Sequence, residues 1–183
     1  MPVKTQGFSL IEMLIVMALS GVLMLGAMRL LPQLQGQNIR LMAQLHLEEE
    51  LQQLMMTLEK ALRRAGYCNG QCSGEGLQIA DNGRCILIRW DENSNGRWEE
   101  PAHAESEFYG YRLRNESFEM QRGVSSCEGG GWERLTDPQA VTLTQFYALR
   151  DNRTIKLRLS GYHPASPARA VTLEQWVNGM NLP

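Results

Sequence analysis

Residues 8–28 read FSLIEMLIVMALSGVLMLGAM, 21 residues whose only charge is Glu12. Wound as a helix, such a run is long enough to cross the ~30 Å hydrocarbon layer of a bilayer. A short basic stretch, MPVKTQG, stands in front of it. A secretory signal peptide has an apolar core of roughly 7–15 residues followed by a small-residue cleavage site. This run is longer, and an acid interrupts it near its start. A plain membrane anchor fits the length but leaves Glu12 unexplained, because a carboxylate in the apolar core costs on the order of 2.5–3.5 kcal/mol. An acid at that depth is by default a functional residue in need of a partner.

Gly7 followed by Phe8, with Glu12 at the fifth place after the glycine, resembles the class III leader of type IV pilins and of the pseudopilins of type II secretion. The resemblance implies that a prepilin peptidase cuts on the cytoplasmic side between Gly7 and Phe8, and that Phe8 becomes the N-methylated first residue. It also implies that Glu12 pairs with a terminal amine during assembly. Physically, an ammonium and a carboxylate that meet in a low-dielectric layer satisfy one another, whereas either alone is penalised.

At 183 residues the chain has room for one domain and an anchor; much of its 43% hydrophobic content lies in the N-terminal run. The net charge of −2 becomes −3 once the leader and its Lys4 are removed, so no strongly basic nucleic-acid surface is expected. Lys4 places the N-terminus in the cytoplasm by the positive-inside rule and the remainder across the inner membrane, in the periplasm.

Arg29 marks the interface, and Pro32 predicts a kink over residues 28–32. Beyond it Leu47, Leu51, Leu54, Met55, Leu58, Ala61, Leu62 and Ala65 recur at three- and four-residue intervals, painting one apolar stripe for a helix packed on its own sheet. Gly66 is placed as a C-cap. A helix over residues 8–65 would be roughly 87 Å long. The organisation expected is a leader at 1–7, a transmembrane and assembly segment at 8–28, an amphipathic helical half at 29–65 and a β-rich domain at 66–183. Strands are read at 85–90, 107–114, 117–122, 141–150, 154–162 and 168–177 from their period of two, with hairpins at Asn115-Glu116 and Asp151-Asn152-Arg153. One long helix followed by successive strands gives an α+β class, which is also the pilin architecture that the leader implies: a long kinked N-terminal helix packed on an antiparallel sheet domain.

Cys68, Cys72, Cys85 and Cys127 all fall beyond the apolar run, and an even count in an exported segment reads as two disulfides. Of the three connectivities, the one preferred is Cys72 with Cys85 and Cys68 with Cys127, since a long crosslink would tie the helix end to a later loop. The rival is a zinc site built on Cys68, Cys72, Cys85 and a histidine, but His46, His103 and His163 show no ligand spacing. In Asp91-Glu92-Asn93-Ser94-Asn95-Gly96, three oxygen-bearing side chains occupy positions 1, 3 and 5 of a calcium loop and glycine occupies position 6. Position 12 falls on Ala102, where such a loop needs a glutamate; Glu99 or Glu100 would have to substitute. The preferred reading is a turn between strands whose side chains bond their own backbone, with calcium on Asp91, Asn93, Asn95 and Glu99 as the alternative and no other cofactor expected.

No G-x-S-x-G, H-E-x-x-H or G-x-x-x-x-G-K-[ST] occurs, and Gly129-Gly130-Gly131 has no Lys or Ser/Thr behind it. An enzyme is therefore not expected. Leu62-Arg63-Arg64-Ala65-Gly66-Tyr67 resembles the Arg-Ala-Gly-Tyr signature of minor pilins of the J and W types. The resemblance extends through Cys68-Asn69-Gly70-Gln71-Cys72, the Asp91 loop and Ser126-Cys127-Glu128 to about Trp132. Glu12 argues against the K or X type, which usually lacks that acid. The family implies a minor pilin that helps prime or cap a pilus in a tip complex, with prepilin peptidase, other minor pilins, the major pilin and an inner-membrane assembly platform as partners. The alternatives are a J-type pseudopilin of type II secretion and a filament-tip adhesin or DNA-binding pilin using Arg150, Arg153, Lys156 and Arg158.

Overall fold

The computed structural model describes Gly7 and residues 9–183; Phe8, Lys4 and the rest of residues 1–6 lie outside the described residues. The chain divides into two compact units, Met1–Met42 and Ala43–Pro183. A single helix, α1 (Leu10–Arg64), begins in the first and ends in the second. It starts two residues later and ends one residue earlier than the periodicity suggested. The helix is unbroken at Pro32, which simply has no N–H to give to the carbonyl one turn back.

Over residues 10–28 the helix is apolar on every face, with Glu12 its only charge. Met13, Leu14, Ile15, Val16 and Met17, five consecutive positions, are all exposed. A helix hydrophobic all round belongs in a membrane or among other helices, and this one is long and apolar enough to cross a bilayer.

In the second unit the helix is amphipathic, and every member of the predicted stripe is buried. Leu47, Leu51, Leu58 and Leu62 join one core with Ile86, Ile88, Phe118, Phe146, Ile155, Leu157 and Leu159. Arg64 ends the helix, and Gly66 follows at φ +82°. Its N–H donates to the carbonyl of Arg89 at 2.8 Å. A Cβ on Gly66 would meet the carbonyl oxygen of Asn181 at 2.5 Å, and one on Gly76 would meet Gly66 itself at 2.3 Å. Two glycines are thus required where the helix end, the first strand and the C-terminus cross.

The strands are β1 (Leu77–Ala80), β2 (Cys85–Arg89), β3 (Phe108–Arg114), β4 (Ser117–Arg122), β5 (Glu133–Arg134), β6 (Thr142–Asp151), β7 (Thr154–Tyr162) and β8 (Ala170–Asn178). All six expected strands are present. β1 and β5 were not foreseen, because four and two residues carry too little periodicity to register. Pairing is antiparallel throughout, but in two sheets, β1-β2-β3-β4-β5 and β6-β7-β8. Both expected hairpins form: Arg114 pairs with Ser117 across Asn115 and Glu116, both at positive φ, and Asp151 pairs with Thr154. That double positive φ is the primed turn whose twist suits a two-residue hairpin. The rings of Phe118 and Phe146 meet edge to face at 5.0 Å between centroids, joining β4 to β6.

Both disulfides exist, with a connectivity other than the expected one: Cys68 pairs with Cys72 and Cys85 with Cys127. The reason is sheet geometry. Cys85 opens β2 and faces away from the helix, into a small second core with Leu87, Val124, Cys127 and Trp132. Cys68 and Cys72 close a tight loop between α1 and β1. Trp132 lies across Gly110 on that outer face, where a Cβ would stand 2.6 Å from its ring. The guanidinium of Arg112 stacks on the same ring at 4.1 Å and pairs with Glu119 at 2.8 Å.

Candidate functional site

Two sites carry chemistry, one in each unit. At the start of α1, Ser9 is the residue before the first helical position and Glu12 lies three residues on. The Ser9 backbone N–H donates to Glu12 Oε2 at 2.9 Å. This is half of a capping box, in which the third-position acid satisfies an orphan donor at the helix start. The Ser-x-x-Glu spacing was visible in the sequence, and the structure gives Glu12 a capping role at the start of its own helix. Phe8, the other half of the expected processing site, lies outside the described residues.

The second site is the loop between β2 and β3. Asp91 is 1% exposed. Its Oδ2 accepts backbone N–H groups of Asn69 and Gly96, and its Oδ1 accepts that of Asn95, each at 2.9 Å. Burial pushes its carboxyl up, but the bonds from Asn69, Gly96, Asn95 and Ser94 together outweigh that and hold it below the ordinary Asp value. Asn93 Oδ1 accepts the Asn95 N–H at 3.0 Å and Asn95 Oδ1 the Arg97 N–H at 3.1 Å, two side-chain turns of the kind the sequence reading preferred.

The loop is nevertheless more than a turn. The side-chain amides of Asn93 and Asn95 both donate to Glu99, at 3.4 and 2.6 Å. Glu99 also pairs with Arg97 at 3.1 Å and is buried. Against it stands a residue read only as the start of a strand, Glu107, which is 1% exposed. Glu107 Oε1 accepts the N–H groups of Glu92 and Asn93, while Oε2 is buried with no partner among the described residues. The Asn95 amide holds Glu99 down at about 2 against its burial, with the neighbouring Glu107 carboxyl and Arg97 helping. Burial pushes Glu107 up, and the adjacent Glu99 adds to the push against its two backbone bonds. Thus Asp91, Asn93, Asn95 and Glu99 belong to one hydrogen-bonded loop, in which Asp91 is taken up by backbone N–H groups and Glu99 by the amides of Asn93 and Asn95. Glu107 joins them, eight residues past Glu99, with no local pattern to announce it. Glu100, the other substitute, is exposed.

The sulfurs of Cys68 and Cys72 lie close to the Asp91 carboxylate, but both are spent in a disulfide and offer no thiolate, so the zinc alternative fails there. His46 and His103 are exposed and His163 is half-buried. Of the four cations considered for a basic patch, Lys156 and Arg158 both engage Glu174, and Arg150 is bonded to the carbonyls of Asn152 and Pro183.

An apolar N-terminal helix with a single first-turn acid, continuing into a disulfide-bearing antiparallel domain, defines the class of prepilin-type proteins. Residues 3–28 match the prokaryotic N-terminal methylation motif. Residues 40–179 match the family described as Prepilin peptidase-dependent protein B, and the chain belongs to that family of type IV pilin-like minor pilins. It is 42% identical, over 193 aligned positions spanning all of both chains, to Prepilin peptidase-dependent protein B of Escherichia coli (strain K12). No solved structure matches the chain.

Proposed function

We propose that this chain is a non-enzymatic minor pilin, cut by prepilin peptidase between Gly7 and Phe8, methylated on Phe8, and held in the inner membrane by the first part of α1 with Ala43–Pro183 in the periplasm. From there it joins other minor pilins and the major pilin on the inner-membrane assembly platform and helps prime or cap the pilus as part of a tip complex. The observation that carries this reading is Glu12, the single charge within residues 10–28 of α1, a stretch otherwise apolar on every face. An uncompensated carboxylate there is costly, and the terminal ammonium of a neighbouring subunit is the partner that the processed N-terminus supplies. The matches to the methylation motif and to a family named for its dependence on prepilin peptidase support the same reading.

Because Glu12 also caps its own helix, the test uses two substitutions. Glu12→Gln keeps a side-chain acceptor for the Ser9 N–H but removes the charge, and Glu12→Ala removes both. Counting pili in cells that carry each variant as their sole copy, we expect both to lose most of the priming activity while the protein accumulates normally. Full priming by Glu12→Gln would reduce Glu12 to a helix cap and defeat the charge-pairing mechanism. The subunits that co-purify with the wild-type chain decide between a pilus and a secretion pseudopilus.

A further inference from the structure

We propose that Glu107 is a neutral carboxylic acid that donates its proton to Glu99, and that this carboxyl–carboxylate bond is a pH-operated latch holding the loop between β2 and β3 on the connection that follows α1. Glu107 is 1% exposed and Glu99 7%. The two side chains are hydrogen-bonded to one another. Two carboxylates in contact away from water cannot both keep their charge, so one of them must hold a proton.

The hydrogen-bond partners decide which. Glu99 is surrounded by donors, namely the side-chain amides of Asn93 and Asn95 and the Arg97 guanidinium. Those amides are fixed in that sense, because Asn93 Oδ1 and Asn95 Oδ1 already accept the N–H groups of Asn95 and Arg97. Glu107 Oε1 accepts the backbone N–H groups of Glu92 and Asn93, but no donor among the described residues reaches Oε2. A proton on Oε2 ends the repulsion and turns the unpartnered oxygen into a donor toward Glu99. Asp91 is likewise taken up by backbone N–H groups, so the loop offers no set of free oxygens to a calcium ion. The other charged groups around Glu107 are engaged elsewhere or exposed. Glu92 on the same loop is held by Tyr109 of β3 and Arg122 of β4, and on the turn before Glu107 the side chains of Glu100, His103 and Glu105 are exposed.

What the latch holds is the docking of the loop on residues 67–70. The Asp91 N–H and the Trp98 indole donate to the Tyr67 carbonyl, the Asn69 N–H donates to Asp91, and the Asn69 amide donates to the Ser94 carbonyl. Burial, with the adjacent Glu99 adding to it, raises Glu107 above the ordinary value of 4.5, so the closed loop keeps a proton that the open loop releases. The stability it contributes is therefore complete below 4.5 and is lost as pH rises through the folded value.

The test compares the full-length chain with Glu107→Gln in detergent micelles. That substitution keeps an acceptor for the two backbone N–H groups and a donor for Glu99 but cannot ionise. In a carboxyl-carbon NMR titration of the wild type, the Glu107 carbon, assigned through its own backbone amide, should titrate above 4.5. Amide exchange at Asn95 and Gly96 is read as the ratio of wild type to variant at each pH, which cancels the intrinsic pH dependence of exchange. That ratio should be near one in acid and should grow by up to about tenfold per pH unit between 4.5 and the folded value of Glu107. A Glu107 carbon that titrates at or below 4.5 would overturn the proposal even if the variant did not fold. So would loop amides that Glu107→Gln leaves no better protected above the folded value.

Discussion

Glu59 shows how one side chain ties the helix to the sheets. It pairs with Arg63 one turn on and accepts a bond from Gln175 of β8. The bonds from Arg63 and then Gln175 hold its carboxyl below the ordinary value of 4.5 against modest burial. A carboxyl depressed in the folded state contributes stability that is complete above its unfolded value and is lost as pH falls through the folded one. Glu59→Gln is therefore expected to lower stability by about 0.5–1 kcal/mol at pH 7. The gap should begin to narrow as pH falls below 4.5 and close once pH passes the lower folded-state value, where the wild-type side chain is itself neutral. Urea unfolding of the full chain in detergent at neutral and acid pH measures both. At this scale the sequence marked Asp91, Asn93, Asn95 and Glu99 by spacing but could not mark Glu107. Its partners Glu92, Asn93 and Glu99 lie 8 to 15 residues away in the chain, and only the return of the chain into β3 brings them together.

Among the elements, the two crosslinks differ in how much chain they restrain. Cys85 and Cys127 are separated by 42 positions and Cys68 and Cys72 by 4. In the chain-entropy account, the long closure is worth about 4 kcal/mol and the short one about 2. Replacing Cys85 and Cys127 together by serine should thus cost roughly twice as much stability as replacing Cys68 and Cys72. Because the long bond also anchors the small outer core beneath Trp132, its loss should expose Trp132 and shift the fluorescence to the red. Equal losses from the two pairs would show that the outer core contributes nothing through this bond. The helix and the longer strands were readable because periods of 3.6 and 2 repeat often enough within them to be counted. The pairing of four cysteines has no such local signal, since it depends on which face of β2 Cys85 occupies.

At the scale of the whole chain, the N-terminal unit and the domain Ala43–Pro183 follow different physics. The first exposes apolar side chains on all sides and contributes none of the buried core among the described residues; the second buries one continuous core and a smaller satellite. Processing should leave the second untouched. In cells with an active prepilin peptidase, the intact mass is expected to correspond to a chain beginning at Phe8 with one added methyl group. Recovery of only the full 183-residue form would contradict the proposed maturation. By itself the sequence determined the anchor, the acid within it, the amphipathic stripe, the α+β class and six of the strands, because each is written in residues adjacent in the chain or one turn apart. Only the tertiary structure decided the split into two sheets, the disulfide partners, the crossing of Gly66 with Gly76 and the arrival of Glu107 at the Asp91 loop. Those depend on which distant segments share a face, and burial over long loops settles that where local periodicity is silent.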